Sequence, residues 1–422
     1  PRRAPVPAGA VARLDPGPGP RPDREEPFSP MLDEALLDDP ESLARADSRG
    51  MLRALATAGA RVRTAARLAD EAGLATLRPD GRPRAVLVAG ESTEAGHVGA
   101  LLAALSGGSC PVLAVRPSAG EDTDPYWALP GWVGHLDLLL VASSGGAEQG
   151  PALLVEQAYQ RGCTVVSVAP PNSPLAESTQ RARGLTLPFA PPPIGDFEPP
   201  SSDVRITPTG TGHDPVFGGT WVEDVGALWA LLVPLLGLAD RIGLVAAPVS
   251  AVQAAANRLD ETAAACGPAT ATYQNPAKTL AAELAESVPL LWCEGQCAEA
   301  VGRRFAACLA ARAGGPALSA ALPDALTLHR GLLTGPLSGG DDTEDFFRDR
   351  VEEPQSIGLR VVLLREYRPQ TAASDTTPAH RLAHEHGIVI SEVAASAGTR
   401  LEGMAQLIAL TDFASVYLAL AD

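Results

Sequence analysis

Aromatic side chains are scarce in this chain. Phe, Trp and Tyr amount to 4 % of 422 residues, so a core has to be filled by Ala, Leu and Val. Positive charge is short as well: 33 Lys and Arg stand against 50 Asp and Glu, a formal net charge of −17. That balance argues against nucleic acid or an anionic membrane as partner, because phosphate backbones reward clustered cations. No charge-free apolar stretch reaches the roughly 18 residues of a spanning helix. The longest apolar run, Ala227 to Ala239, is short and contains Pro234. No basic segment followed by an apolar one opens the sequence, so no secretory signal is read there. Nucleotide motifs are missing too: Gly90 to Gly96 does not follow G-x-G-x-x-G, and no G-x-x-x-x-G-K-[ST] occurs. The expectation is a soluble, cytoplasmic globular protein. Its six cysteines fit free thiols in a reducing compartment, since Cys293 and Cys297 form a C-x3-C spacing without a second pair or His to complete a zinc set.

What is present is a strand and helix pattern. Residues 1–30 are rich in Pro, Gly and Arg without periodicity and read as a disordered extension. A helical segment then runs from Leu32, with Gly73 as its stop. From Ala85 the texture alternates. Ala85–Ala89, Pro111–Val115, Leu136–Ala142 and Thr164–Ala169 are short apolar runs separated by helical stretches, the pattern of a parallel sheet covered on both faces. Pro188–Pro215 reads as a connecting loop, and Trp221–Gly243 and Pro248–Cys266 read as helices. The alternation then resumes with strands Val288–Cys293, Leu359–Arg365 and Gly387–Val393, a helix Ala298–Ala313, and a closing helix Leu401–Leu420. The fold class expected is α/β: two doubly wound, flavodoxin-like parallel-sheet domains, spanning 81–195 and 271–422. An N-terminal helical segment 31–80 precedes the first, and a linker with helices, 196–270, joins the two.

In an open parallel sheet a ligand sits at the carboxyl ends of the strands. Two such ends carry suitable groups, Gly90-Glu-Ser92-Thr93 and Ser143-Ser144-Gly145-Gly146. Each sets hydroxyls before a helix N-terminus, where unpaired amides and the helix dipole favour phosphate. The competing reading is that Ser and Thr simply cap those helices. His329 is the single candidate for acid–base work, against an ordinary surface histidine. His380 and His384, one helical turn apart, are read as a solvated face rather than a metal pair, and the acidic run Gly339–Asp345 as a solvated loop rather than a calcium site.

Two C-terminal segments carry a family resemblance. Gln274-Asn-Pro-Ala-Lys278 with Leu280–Ala285 and Val288-Pro289 is similar to the N-P-x-K…A…L…P stretch of the bifunctional phosphoglucose/phosphomannose isomerases, which belong to the sugar isomerase (SIS) domain superfamily. Thr411-Asp-Phe-Ala-Ser-Val-Tyr-Leu-Ala-Leu420 resembles that family's closing D-F-x-S-x-Y-L-A helix. Leu136–Gly146, Gly162–Val166 and Pro174–Glu177 look like the SIS phosphate loop with its following strand and turn. The resemblance implies two SIS domains, a homodimer, and a sugar 6-phosphate at the strand ends of the first. It implies a reaction in which a glutamate moves a proton between C1 and C2 while a histidine opens the ring, with no metal or organic cofactor.

The chain departs from that pattern at the chemistry. Against the family loop S-x-S-G-N-T, aligned on Ser144-Gly145, the first Ser is Ala142 and the Thr is Ala147, leaving Ser143 as a substitute. The N-E-N-A-K stretch that holds the base becomes Ala310–Gly314, with Ala311 at the glutamate position. His329 matches the family histidine only with a two-residue shift. Glu294, at the end of the second domain's first strand, is the remaining candidate base. Two readings stay open: an aldose–ketose isomerase acting on glucose, mannose or fructose 6-phosphate, and a catalytically silent sugar-phosphate sensor or regulatory binding protein.

Overall fold

The computed structural model describes residues 34–79, 81–119, 125–190, 225–335, 358–367 and 376–421. The extension 1–30, the acidic run 339–345 and most of the loop 188–215 lie outside the described residues.

The N-terminal segment is four helices rather than one: α1 (Glu34–Leu37), α2 (Pro40–Ala46), α3 (Met51–Ala56) and α4 (Ala58–Glu71). The breaks have local causes. Asp39 caps α2 by accepting from the Glu41 and Ser42 amides, ahead of a Pro at the first helical position. Gly50, at φ +64°, then turns the chain into α3.

The first sheet is formed by β1 (Val86–Ala89), β2 (Val112–Val115), β5 (Leu138–Ala142), β6 (Thr164–Ala169) and β7 (Leu185–Pro188). Its order is β2-β1-β5-β6-β7, all parallel. A two-stranded ribbon, β3 (Ser118–Ala119) with β4 (Pro125–Tyr126), lies between β2 and β5 in the chain. The helices of this unit are α5 (Thr93–Ser106), α6 (Gln149–Gln160) and α7 (Pro174–Arg181). Two long helices follow, α8 (Ala227–Arg241) and α9 (Val249–Ala265).

The second sheet has β8 (Ser287–Glu294), β9 (Leu318–Ala321), β10 (Gly358–Arg365) and β11 (Val389–Ala394) in the order β11-β10-β8-β9, again parallel. Its helices are α10 (Pro276–Leu284), α11 (Gln296–Arg312), the short α12 (Ala325–Leu328) and α13 (Arg330–Leu333), α14 (Thr377–Glu385) and the closing α15 (Arg400–Ala421). Both sheets reverse strand order between their first and third strands, β1/β5 and β8/β10. Those are the switch points where a doubly wound sheet opens a crevice.

Side chains alternate across each strand, and the alternation divides the core. Val86, Val88, Leu138 and Leu140 of the first sheet join Leu291, Cys293, Val362 and Leu364 of the second in one shared core, with α4, α8, α9 and α15. Leu87, Leu139 and Val141 face α6 in a second cluster. Leu290, Trp292 and Leu363 pack on α12 and α14 in a third. α15 is long and apolar enough to cross a membrane by length and composition, which the search for charge-free runs did not anticipate; 72 % of its apolar window is buried in this shared core. All six cysteines are free and buried. Strands β7 and β9 escape a reading from sequence, because Leu-Thr-Leu-Pro and Leu-Ser-Ala-Ala lack the β-branched run that marks a strand.

Candidate functional site

At the first switch point Gly90 ends β1 beneath the Ala142 carbonyl. A Cβ there would lie 2.3 Å from that oxygen, so the close approach of the two strand ends requires glycine. Ser92 caps α5, its hydroxyl accepting from the Ala95 amide at 3.2 Å, and Thr93 is the exposed first residue of that helix. The capping reading of this loop therefore describes Ser92.

The second loop is held from within. The buried Ser143 hydroxyl lies 2.7 and 2.6 Å from the two carboxylate oxygens of Glu148, and it accepts from the Gly146 amide at 2.6 Å. Glu148 precedes α6, and its side chain also lies against Gly145. Ser144 is half-buried and Gly145 exposed. The Glu91 carboxylate lies close to the Gly150 amide, in the first turn of α6. Burial, and then the neighbouring Glu148 carboxylate, push Glu91 above the usual carboxylate range. The helix end that sequence reasoning reserved for a phosphate thus holds the chain's own anions. Glu148, the one charged residue among 143–148, is the feature of the sequence that signals this arrangement.

The second switch point has the same character. Gly295 follows β8 at φ +102°, and a Cβ on it would lie 2.1 Å from the Glu366 carboxyl carbon. Glu366, at the end of β10, accepts from the Cys297 amide at 3.0 Å and so occupies the N-terminus of α11. Glu294 is nearly buried, and its Oε2 accepts from Arg365 Nε at 2.9 Å. The same guanidinium bonds Glu392 of β11; its hydrogen bonds to Glu392 and then to Glu294 raise its pKa.

His329 is neither a surface group nor joined to Glu294. It is 6 % exposed, and its Nδ1 accepts from the indole of Trp292 at 3.0 Å. That bond places the ring proton on Nε2, and burial lowers the pKa, so the ring is held neutral. Ala311 is exposed in the last turn of α11, while the next residue, Arg312, turns inward to Asp412 and Ser415. His380 and His384 lie on α14 beside Arg381, Ile388 and Ile390. Among the described residues no three His, Cys, Asp or Glu side chains gather as a metal set.

Sequence reasoning also missed a buried ionic network behind the first switch point. Arg304 of α11, 1 % exposed, donates to Glu94 of α5 at 3.1 Å and to Asp412 of α15, which Arg312 also approaches at 3.3 Å. Burial is the largest influence on Glu94 and opposes its ionisation. Arg304 and His97 together outweigh it and hold the carboxyl at about 2. Glu94 directly follows the loop Gly90–Thr93, so this network ties a strand-end loop of the first sheet to helices of the second.

The segments that carried the resemblance prove structural. Asn275 caps α10, and Lys278 Nζ donates to the carbonyls of Leu37, Pro268 and Thr270 at 2.5, 2.8 and 2.8 Å. The Tyr417 ring lies 5.5 Å from that ammonium, and its hydroxyl donates to the Cys266 carbonyl. Asp412 belongs to the Arg304 network.

Comparison with known proteins agrees with this architecture. Residues 273–422 match the family model of the bacterial phospho-glucose isomerase C-terminal SIS domain. No curated protein matches the chain. Among solved structures, a candidate phosphosugar isomerase from Silicibacter pomeroyi aligns with TM-score 0.53 at 18 % identity, over 88 % of this chain and 97 % of its own. A hypothetical protein from Thermus thermophilus aligns with TM-score 0.54 at 13 % identity, over 92 % and 91 %. A candidate phosphosugar isomerase from Clostridium difficile aligns with TM-score 0.50 at 13 % identity, over 88 % and 92 %. These likenesses establish the fold, while the sequence match covers the second sheet and its helices. Residues 273–422 are therefore similar to a SIS domain of the bacterial phospho-glucose isomerase type, and the chain as a whole shares the fold of these structures.

Proposed function

We propose that this chain is a SIS-fold binding protein that recognises a sugar phosphate at the strand ends of its first sheet and does not isomerise it. One observation supports the reading: both residues considered for the chemistry are engaged by other groups of the chain. Glu294 Oε2 accepts from Arg365, its neighbour across the sheet, which holds the carboxylate in an ion pair. His329 is turned into the apolar layer with Trp292, and the position of the family base is Ala311. General-base catalysis is worth about 10²–10⁴-fold, so its loss leaves a site that can bind without turning over. The descriptions of two solved structures with this fold as candidate phosphosugar isomerases make sugar 6-phosphates the first ligands to test. A cytoplasmic homodimer belongs to the same reading, and light scattering checks the dimer.

The test is a phosphorus NMR time course with mannose 6-phosphate at near-stoichiometric protein. The expected result is broadening or a shift of the input resonance without a fructose 6-phosphate peak. A product peak that grows in proportion to protein would establish an isomerase instead. Turnover that Glu294→Gln then abolished would name its base.

A further inference from the structure

We propose that Glu148 is an autoinhibitory latch on the first sheet's anion cradle: its carboxylate holds the Ser143 hydroxyl where a phosphate would sit, so a sugar phosphate binds only by displacing it. The inference rests on the reading of these strand ends as the ligand site. Its observations are independent of the question of catalysis.

Three contacts define the latch. The Ser143 hydroxyl meets both Glu148 oxygens at 2.7 and 2.6 Å, so its single hydrogen is committed to them. The Gly146 amide donates to the same Ser143 hydroxyl at 2.6 Å and fixes it within the loop. Glu91 also lies close to the Gly150 amide at the start of α6. Glu148 and Glu91 thus place two carboxylates of the chain beside a helix N-terminus of the kind that is receptive to phosphate. The charged neighbour that acts on Glu91 is Glu148 itself, so an arriving dianion meets two like charges. Displacement is sterically open, because Glu148 is only half-buried, Ala147 beside it is exposed, and Gly145 under it carries no side chain. Once Glu148 moves aside, the Ser143 hydroxyl is released to donate to a ligand oxygen. The second sheet repeats the device with Glu366 on the Cys297 amide, which marks the internal carboxylate as a recurring feature of this chain's switch points.

The experiment is titration calorimetry of the full chain with mannose 6-phosphate and with inorganic phosphate, for the unaltered protein, Glu148→Gln, Glu148→Ala and Ser143→Ala. Glu148→Ala is expected to tighten mannose 6-phosphate at least tenfold, about 1.4 kcal/mol, with Glu148→Gln between it and the unaltered chain. Ser143→Ala combined with Glu148→Ala should cancel the gain. Glu148→Gln keeps the size and the bond to Ser143, which guards against a folding defect in the truncated variant. Equal or weaker binding by both Glu148 variants would overturn the latch, as would an absence of binding in every variant. Turnover by the unaltered protein would sink the non-isomerising reading alone, and the affinity comparison would still decide the latch.

Discussion

Replacing Arg304 by Met isolates the energetics that tie the ligand loop to the rest of the molecule. Arg304 is buried between Glu94 and Asp412. Removing one partner of a buried ion pair leaves an uncompensated charge and costs about 3–5 kcal/mol. Arg312, at 3.3 Å from Asp412, still serves that carboxylate, so the exposed deficit falls on Glu94. The pH dependence gives a second, independent reading. Glu94 titrates near 2 in the folded protein against an ordinary 4.5. A depressed carboxyl pKa contributes stability that is present above the unfolded value and lost as pH falls through the folded one, here about 3 kcal/mol across the window from about 4.5 to 2. In Arg304→Met the burial that opposes ionisation remains while its main counterweight is gone. The Glu94 pKa then rises, and the sign reverses: the variant regains relative stability as pH drops. Urea unfolding of both proteins at pH 7, 5 and 4 measures this. Glu94→Gln combined with Arg304→Met should recover part of the loss, because a buried pair replaced on both sides strands no charge. A loss below about 1 kcal/mol for Arg304→Met, or parallel pH profiles for the two proteins, would refute the reasoning.

Two further outcomes follow from the same structure. Lys278→Met leaves the carbonyls of Leu37, Pro268 and Thr270 without their donor; a destabilisation of about 1–3 kcal/mol is expected, read as a lower urea midpoint, and an unchanged midpoint would deny the hub role. All six thiols should resist a disulfide reagent at pH 8 in the native protein and react together once unfolded. Each is buried, and burial raises Cys163, Cys266 and Cys297 to about 11 and Cys293 and Cys308 to about 12. A thiol that reacts at once would mark a cysteine the fold does not cover.

The strand ends show why the site was less legible than the fold. Short apolar runs bounded by Gly are strands because nothing else lets so few residues bury both faces. Thus Thr164–Ala169 was readable to the residue, and the long helices were displaced by only a few positions. The loops after β1 and β5 were located correctly as well, with hydroxyls ahead of helix N-termini. Which partner satisfies those hydroxyls is a question of distance in three dimensions. Ser143 and Glu148 are close enough in sequence to have been paired by inspection. Glu91 with the Gly150 amide, and Glu366 with the Cys297 amide, are not. The setting of His329 was hidden for a related reason: a polar residue after an amphipathic turn reads as surface, and only the tertiary fold shows Trp292 donating to it from the layer below.

Sequence alone determined the α/β class, the two-sheet organisation and the likeness of the C-terminal part to a SIS domain, because periodicity is local and because motifs such as Asn275-Pro-Ala-Lys278 report a packing hub that the fold needs whatever the site does. Tertiary structure alone decided the state of the site: which carboxylate lies on which helix end, that Arg304 bridges α5 and α15, and that His329 is a core group. The physical reason is range. Backbone propensity and hydrophobic patterning act over one turn or one strand, whereas the charge, burial and hydrogen bonding that set a side chain's chemistry come from residues brought together across the whole chain.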